Sequence, residues 1–72
     1  MIYTLVNDPF KGLKNIVQLS LYDNRIDRME GFTDLINLKK LYLEKNFILK
    51  LEGLENCRKL EELNLGYQNI GQ

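Results

Sequence analysis

The sequence predicts an α/β solenoid: stacked near-identical units, with short parallel strands on a concave face and short helical or 3-10 returns on a convex one. Three observations predict it. The segment from Leu19 to Ile26 (Leu-Ser-Leu-Tyr-Asp-Asn-Arg-Ile) recurs as Leu41 to Ile48 and again as Leu63 to Ile70, offset by 22 residues both times. Within each copy, leucines alternate with polar or aromatic residues. The chain also holds 14 Leu and 8 Asn but no Ala, whereas a helical bundle of 72 residues would draw on Ala as the best helix former.

The offset reaches well beyond these octets. It aligns Phe10 with Phe32 and Leu54, Leu13 with Leu35 and Cys57, Ile16 with Leu38 and Leu60, Met29 with Leu51, and Gly31 with Gly53. Self-similarity of this length marks a repeat array. The units fall at 16–37 and 38–59, with a partial N-terminal unit over 1–15 and an incomplete last one over 60–72. In the first unit Ile2 and Leu5 repeat the spacing of Ile26 and Met29 at a distance of 24, and the two additional residues fall near Pro9, where a turn absorbs them.

Each unit opens with a strand. Leu19 and Leu21, like Leu41 and Leu43 or Leu63 and Leu65, alternate with Ser20, Tyr42 and Asn64, the period-2 mark of a strand with one buried face. About five residues per strand are expected. The stretches from Gly31 to Leu38 and from Gly53 to Leu60 instead space their apolar residues by three, which predicts one or two helical turns. A strand with one short return leaves its apolar stripe open on two sides, so neighbouring units must stack on it.

Asn24 and Asn46 follow the strands where the chain bends inward, and their amides can donate to and accept from adjacent backbone. Gln68 holds the third position, so the three form an expected polar ladder that satisfies buried peptide groups.

Composition closes other routes. Ten basic and ten acidic side chains give zero net charge, so no field draws in a nucleic-acid backbone or an anionic membrane. The longest apolar run, Phe47-Ile48-Leu49, is far short of the roughly 20 residues a spanning helix needs. The first residues carry no basic start, sustained apolar stretch or cleavage site, which predicts a cytoplasmic address, with nuclear and ciliary ones compatible. The chain has no His and one cysteine, Cys57, which stands in an apolar column and reads as a buried structural thiol. No metal or cofactor site is expected, and the glycines form no phosphate-cradling pattern.

At this point the pattern resembles a known family. L-x-x-L-x-L-x-x-N-x-I-x-x-[IML]-x-G-[LF] is the 22-residue subclass of leucine-rich repeat. It is carried here by Ile16, Leu19, Leu21, Asn24, Ile26, Met29, Gly31 and Phe32, then by Leu38, Leu41, Leu43, Asn46, Ile48, Leu51, Gly53 and Leu54. The phrases Leu-Tyr-Leu-Glu-Lys-Asn (41–46) and Leu-Glu-Gly-Leu-Glu-Asn-Cys (51–57) are similar to leucine-rich regulatory subunits of protein phosphatase 1. The resemblance implies a right-handed solenoid that binds protein on its concave face without catalysis, with the phosphatase catalytic subunit as partner. The subclass also occurs in dynein-associated, centrosomal and tubulin-cofactor proteins, so a structural or assembly subunit of a cytoskeletal, centrosomal or ciliary complex is the alternative.

With the leucines inside, the alternate positions are free of core duty. Gln18, Ser20, Tyr22 and Asp23, then Lys40, Tyr42, Glu44 and Lys45, then Glu62, Asn64 and Tyr67 form the candidate partner surface. The tyrosines lead, since exposed rings supply contact area at low entropic cost. Phe47 and Leu49 replace Arg25 and Asp27 in their columns and mark a second apolar spot. Stacking predicts opposite charges as cross-strand neighbours, Lys40 with Glu62 and Asp23 with Lys45. Leu63, Leu65 and Ile70 lack a following unit, which predicts either a piece of a longer solenoid or self-association through an open end.

Overall fold

A computed structural model describes residues 10–68. Three strands, β1 (Gln18–Ser20), β2 (Lys40–Tyr42) and β3 (Glu62–Asn64), form one parallel sheet in the order β1-β2-β3. Gln18 pairs with Lys40 and Lys40 with Glu62, Leu19 with Leu41 and Leu63, Ser20 with Tyr42 and Asn64. The sequence offset is thus the structural register. Each strand is three residues long, shorter than the five expected, yet the hydrogen-bond ladder runs past both ends. The Lys39 amide donates to the Val17 carbonyl at 2.7 Å, Leu21 to Tyr42 at 2.8 Å and Asp23 to Glu44 at 2.9 Å. In the next unit Glu61 donates to Lys39 at 2.8 Å, Leu43 to Asn64 at 2.8 Å and Lys45 to Gly66 at 3.1 Å.

Stacking decides burial. Leu38, Leu41 and Leu43 of the unit 38–59 are fully buried, as are Ile26, Phe32 and Leu35 of the unit before it, which it covers. Some columns open toward the ends: Leu13 is 42% exposed against 0% for Leu35, and Leu51 is 55% exposed against 3% for Met29. Ile16, Leu19, Leu54, Leu60, Leu63 and Leu65 are half-buried against the same core. A unit gains a closed interior only when both flanks are occupied. The Phe10 and Phe32 rings, 22 residues apart, stack with centroids 5.8 Å apart and planes tilted by 35°.

The returns differ from expectation: no helix or 3-10 segment forms among the described residues. From Phe32 to Leu38 the chain makes two linked turns that share Leu35, with Leu35 N–H donating to Phe32 at 3.2 Å and Leu38 to Leu35 at 3.3 Å. Between them the Ile36 amide turns back to Asp34 at 2.9 Å, so consecutive i to i+3 bonds never accumulate. Leu54, Cys57 and Leu60 repeat the pair of turns. The spacing of three therefore reports one apolar residue at each turn boundary. Side chains of neighbouring units take up the backbone groups a helix would have used. Asn37 Nδ2 donates to the Lys14 carbonyl at 2.7 Å and Asn56 Nδ2 to Thr33 at 3.2 Å, while Asp34 Oδ2 accepts the Gly12 amide at 2.8 Å. Lys59 Nζ extends this outer series to Asn37 Oδ1 at 2.8 Å.

Gly31 and Gly53 both hold positive φ, 89° and 79°. At Gly53 a Cβ would lie 2.5 Å from the Met29 carbonyl oxygen, so the backbones of two units touch where a side chain would stand. Ile2, Leu5, Pro9 and Ile70, which figure in the expected first and last units, lie outside the described residues.

Candidate functional site

The alternation that buries Leu19, Leu41 and Leu63 against the core turns the residues beside them to the opposite face of the sheet. Gln18, Ser20, Lys40 and Glu62 are exposed there, and Tyr42 and Asn64 are half-buried. Past the strands, Tyr22 is 51% and Tyr67 82% exposed, Asp23 and Lys45 are exposed, and Glu44 is half-buried. Register brings Gln18, Lys40 and Glu62 into one row and Ser20, Tyr42 and Asn64 into another. The amide bonds from Asp23 to Glu44 and from Lys45 to Gly66 carry the same alignment to the end of the candidate surface.

The register makes Lys40 and Glu62 cross-strand neighbours, as the columns predict. Among the described residues, neither Lys40 with Glu62 nor Asp23 with Lys45 forms an ion pair, whereas Lys50 and Glu52 do, at 3.6 Å on the outer surface. Lys45 Nζ instead stands over the Tyr22 ring, 5.5 Å from its centroid. A flexible ammonium gains little from an exposed carboxylate and a comparable amount from a ring face.

Tyr42 sits at the centre of the face with acidic neighbours. Its hydroxyl is held above its ordinary value, first by a hydrogen bond to Glu62, then by burial and by the charges of Glu62 and Glu44. Glu62 Oε2 also accepts weakly from Asn64 Nδ2 at 3.5 Å. Glu44 differs: its Oε1 is shielded from solvent and has no hydrogen-bond partner.

Behind the face runs the amide ladder. Asn46 is fully buried. Its Oδ1 accepts the Ile26 amide at 3.0 Å, and its Nδ2 donates to the carbonyls of Leu21 at 3.0 Å, Leu43 at 2.9 Å and Glu44 at 3.2 Å. Gln68 reproduces this pattern one unit on, accepting the Ile48 amide at 2.9 Å and donating to Leu43 at 2.7 Å and Leu65 at 3.2 Å. Its additional methylene fits a half-buried position. Asn24 donates to Leu21 at 2.9 Å and more weakly to Tyr22 at 3.4 Å. The residue before each ladder amide, Asp23, Lys45 or Tyr67, is left-handed with φ of 59°, 58° and 60°. That bend swings the amide inward, at a backbone cost that side chains other than Gly, Asn and Asp rarely bear.

Elsewhere the chemistry is sparse. Cys57 is buried, its Sγ 3.6 Å from the Phe32 carbonyl, and burial followed by the charge of Glu55 pushes its thiol up. Among the described residues no cluster of His, Cys, Asp or Glu could hold a metal ion, and no helix is long and apolar enough to cross a membrane. A shallow hollow is lined by Lys11, Gly31, Thr33 and Asp34, where Asp34 Oδ2 accepts the Gly12 amide. Sequence reasoning missed the outer series of Asp34, Asn37 and Asn56, although Asn15 and Asn37, like Asp34 and Asn56, recur at the repeat spacing. The shielded oxygen of Glu44 had no sequence signal.

Comparison with known proteins agrees with this architecture. The family described as Leucine Rich repeats (2 copies) matches residues 36–72. A curated relative, dynein axonemal assembly factor 11 of Trypanosoma brucei brucei, is 49% identical over 59 residues, covering 81% of this chain and 15% of that protein. No solved structure matches. The resemblance to phosphatase regulatory subunits gains no support from these matches. A 22-residue register, three parallel strands and a buried asparagine at the turn, together with the family match over residues 36–72, establish that this chain belongs to the leucine-rich repeat family.

Proposed function

We propose that the chain is a non-catalytic protein-binding module of an assembly subunit serving a cytoskeletal or ciliary complex, acting in the cytoplasm or the cilium. The observation that supports this reading is the parallel register, which keeps Leu19, Leu41 and Leu63 on the core side and sets the rows Gln18, Lys40, Glu62 and Ser20, Tyr42, Asn64 on the opposite face of the sheet, from which Tyr22, Glu44, Lys45 and Tyr67 would extend the partner surface. The axonemal dynein assembly factor among its relatives supports the choice of complex. In this reading the sheet is one stretch of a right-handed solenoid, with units at 16–37, 38–59 and from 60 onward, and partners meet a rigid concave surface whose residues vary without cost to the fold.

Affinity capture from ciliated cells tests it, using the full chain and a Tyr22→Ala, Tyr42→Ala, Tyr67→Ala variant. The wild type should retain axonemal dynein components that the variant loses while keeping its fold. Equal capture by both would overturn the concave-face reading, and a footprint on Thr33, Asp34, Glu55 and Arg58 would move the interface to the convex side. Recovery of the phosphatase catalytic subunit in place of dynein components would overturn the choice of complex.

A further inference from the structure

The acidic neighbours of Tyr42 narrow the kind of partner this face accepts. Glu44 and Glu62 flank Tyr42 on adjacent units, and no described lysine forms an ion pair with either carboxylate. Lys45, adjacent to Glu44 in the chain, is drawn to the Tyr22 ring. Lys40 is the register neighbour of Glu62 but is exposed and makes no bond to it. Glu62 still has the Tyr42 hydroxyl and Asn64 as donors. Glu44 Oε1, by contrast, is out of contact with water and unpartnered. A carboxylate oxygen in that condition is destabilising, native structures rarely leave one so, and because it is covered a donor from outside meets it once the Glu44 carboxylate rotates about its terminal torsion toward the surface.

A half-buried aromatic ring between two carboxylates, one lacking a donor, matches a planar cation. Guanidinium offers five N–H groups in a rigid fork, can bond two acceptors at once and stacks on aromatic faces, and it is less strongly hydrated than ammonium. A lysine ammonium would meet one carboxylate as a point charge and gain less from the ring.

We propose that the concave face seats an arginine side chain of an extended partner segment, with its guanidinium against the Tyr42 ring and its N–H groups directed to Glu44 and Glu62. This rests on the reading of the face as the docking surface and adds the chemistry of its anchor.

Titration of the ¹⁵N-labelled full chain with acetyl-Gly-Arg-Gly-amide, followed by NMR, tests the proposal against the isosteric citrulline peptide, which lacks the charge. The arginine peptide should give saturable amide shifts centred on Tyr42, Glu44 and Glu62, at least tenfold weaker with citrulline. The E44Q and E62Q double variant should lose at least tenfold in affinity while keeping its dispersed spectrum, and K40Q, which removes a competing cation, should bind no more weakly than wild type. Equal shifts from both peptides, no saturable shift, or shifts spread over the convex side would overturn the proposal. The two readings fail separately. Loss of partner capture by the tyrosine variant without arginine binding keeps the face and discards its cation chemistry. Arginine binding with undiminished capture keeps the chemistry and discards the face as the main interface.

Discussion

Replacing Asn46 by alanine should destabilise the fold far more than the same change at Asn64, and the structure gives the margin. Asn46 makes four bonds, yet three of its acceptors keep another donor: Leu21 retains Asn24 at 2.9 Å, Leu43 retains Gln68 at 2.7 Å and Glu44 retains the Asp23 amide at 2.9 Å. The Ile26 amide is the group left stranded, since its described partner is Asn46 Oδ1. An orphaned buried N–H costs about 1 to 3 kcal/mol, and the space vacated by the amide adds about 1 kcal/mol. The sum is about 2 to 4 kcal/mol, a large part of the roughly 4 to 10 kcal/mol expected for a domain of this size. Asn64→Ala gives up a single weak exposed bond, to Glu62 at 3.5 Å, and should cost about 0.5 kcal/mol or less. Urea unfolding followed by far-ultraviolet circular dichroism measures both. A variant at Asn46 within about 1 kcal/mol of the one at Asn64 would refute the claim that the ladder closes the inner turn.

Gly53→Ala should lower stability by more than about 1 kcal/mol, because the methyl meets the Met29 carbonyl at positive φ, whereas Gly66→Ala, with nothing within 4 Å, should be near neutral; thermal melts of the pair check this. Tyr67→Asn should raise the melting temperature through relief of a left-handed aromatic residue worth up to about 1 kcal/mol, and Tyr67→Val should lower it. Cys57 and Tyr42 both hold their protons more tightly folded than unfolded, from ordinary values of 9.0 and 10.0. That contribution is complete below the unfolded values and lost as pH rises through the folded ones, so stability should decline above about pH 9 and decline less in Cys57→Ala. Glu62→Gln should bring the Tyr42 phenol back toward its ordinary value, as read by ultraviolet difference titration against Tyr42→Phe.

The architecture was legible because the 22-residue offset constrains every column at once. Strand positions, register, the asparagine at the turn and the set of outward residues all follow from aligning Leu19, Leu41 and Leu63. The returns were not, because one apolar residue in three is shared by a 3-10 helix and by two linked turns. What separates them is where amides such as that of Ile36 donate, and the choice depends on Asn37 and Asn56 reaching across to neighbouring units. Lys40 and Glu62 are cross-strand neighbours as the columns predict, but the alignment did not reveal that they form no ion pair. Column alignment fixes Cα neighbours but not the ends of long side chains, and Lys45 found a ring one unit away. Glu44's shielded oxygen arises from packing, which a pattern of residue types does not encode.

The uniform register also bears on how such a chain can change its length. Since each unit receives the next by the same set of backbone bonds, a cassette of 22 residues could be duplicated or excised by recombination, and the flanking strands would meet the same partners as before. A single-residue insertion beside Lys40 would instead turn Leu41 and Leu43 toward solvent and draw Tyr42 inside. Drift in this lineage should therefore proceed by point substitution on the outward columns and by gain or loss of whole modules, with frame-shifting indels pushed to the turns.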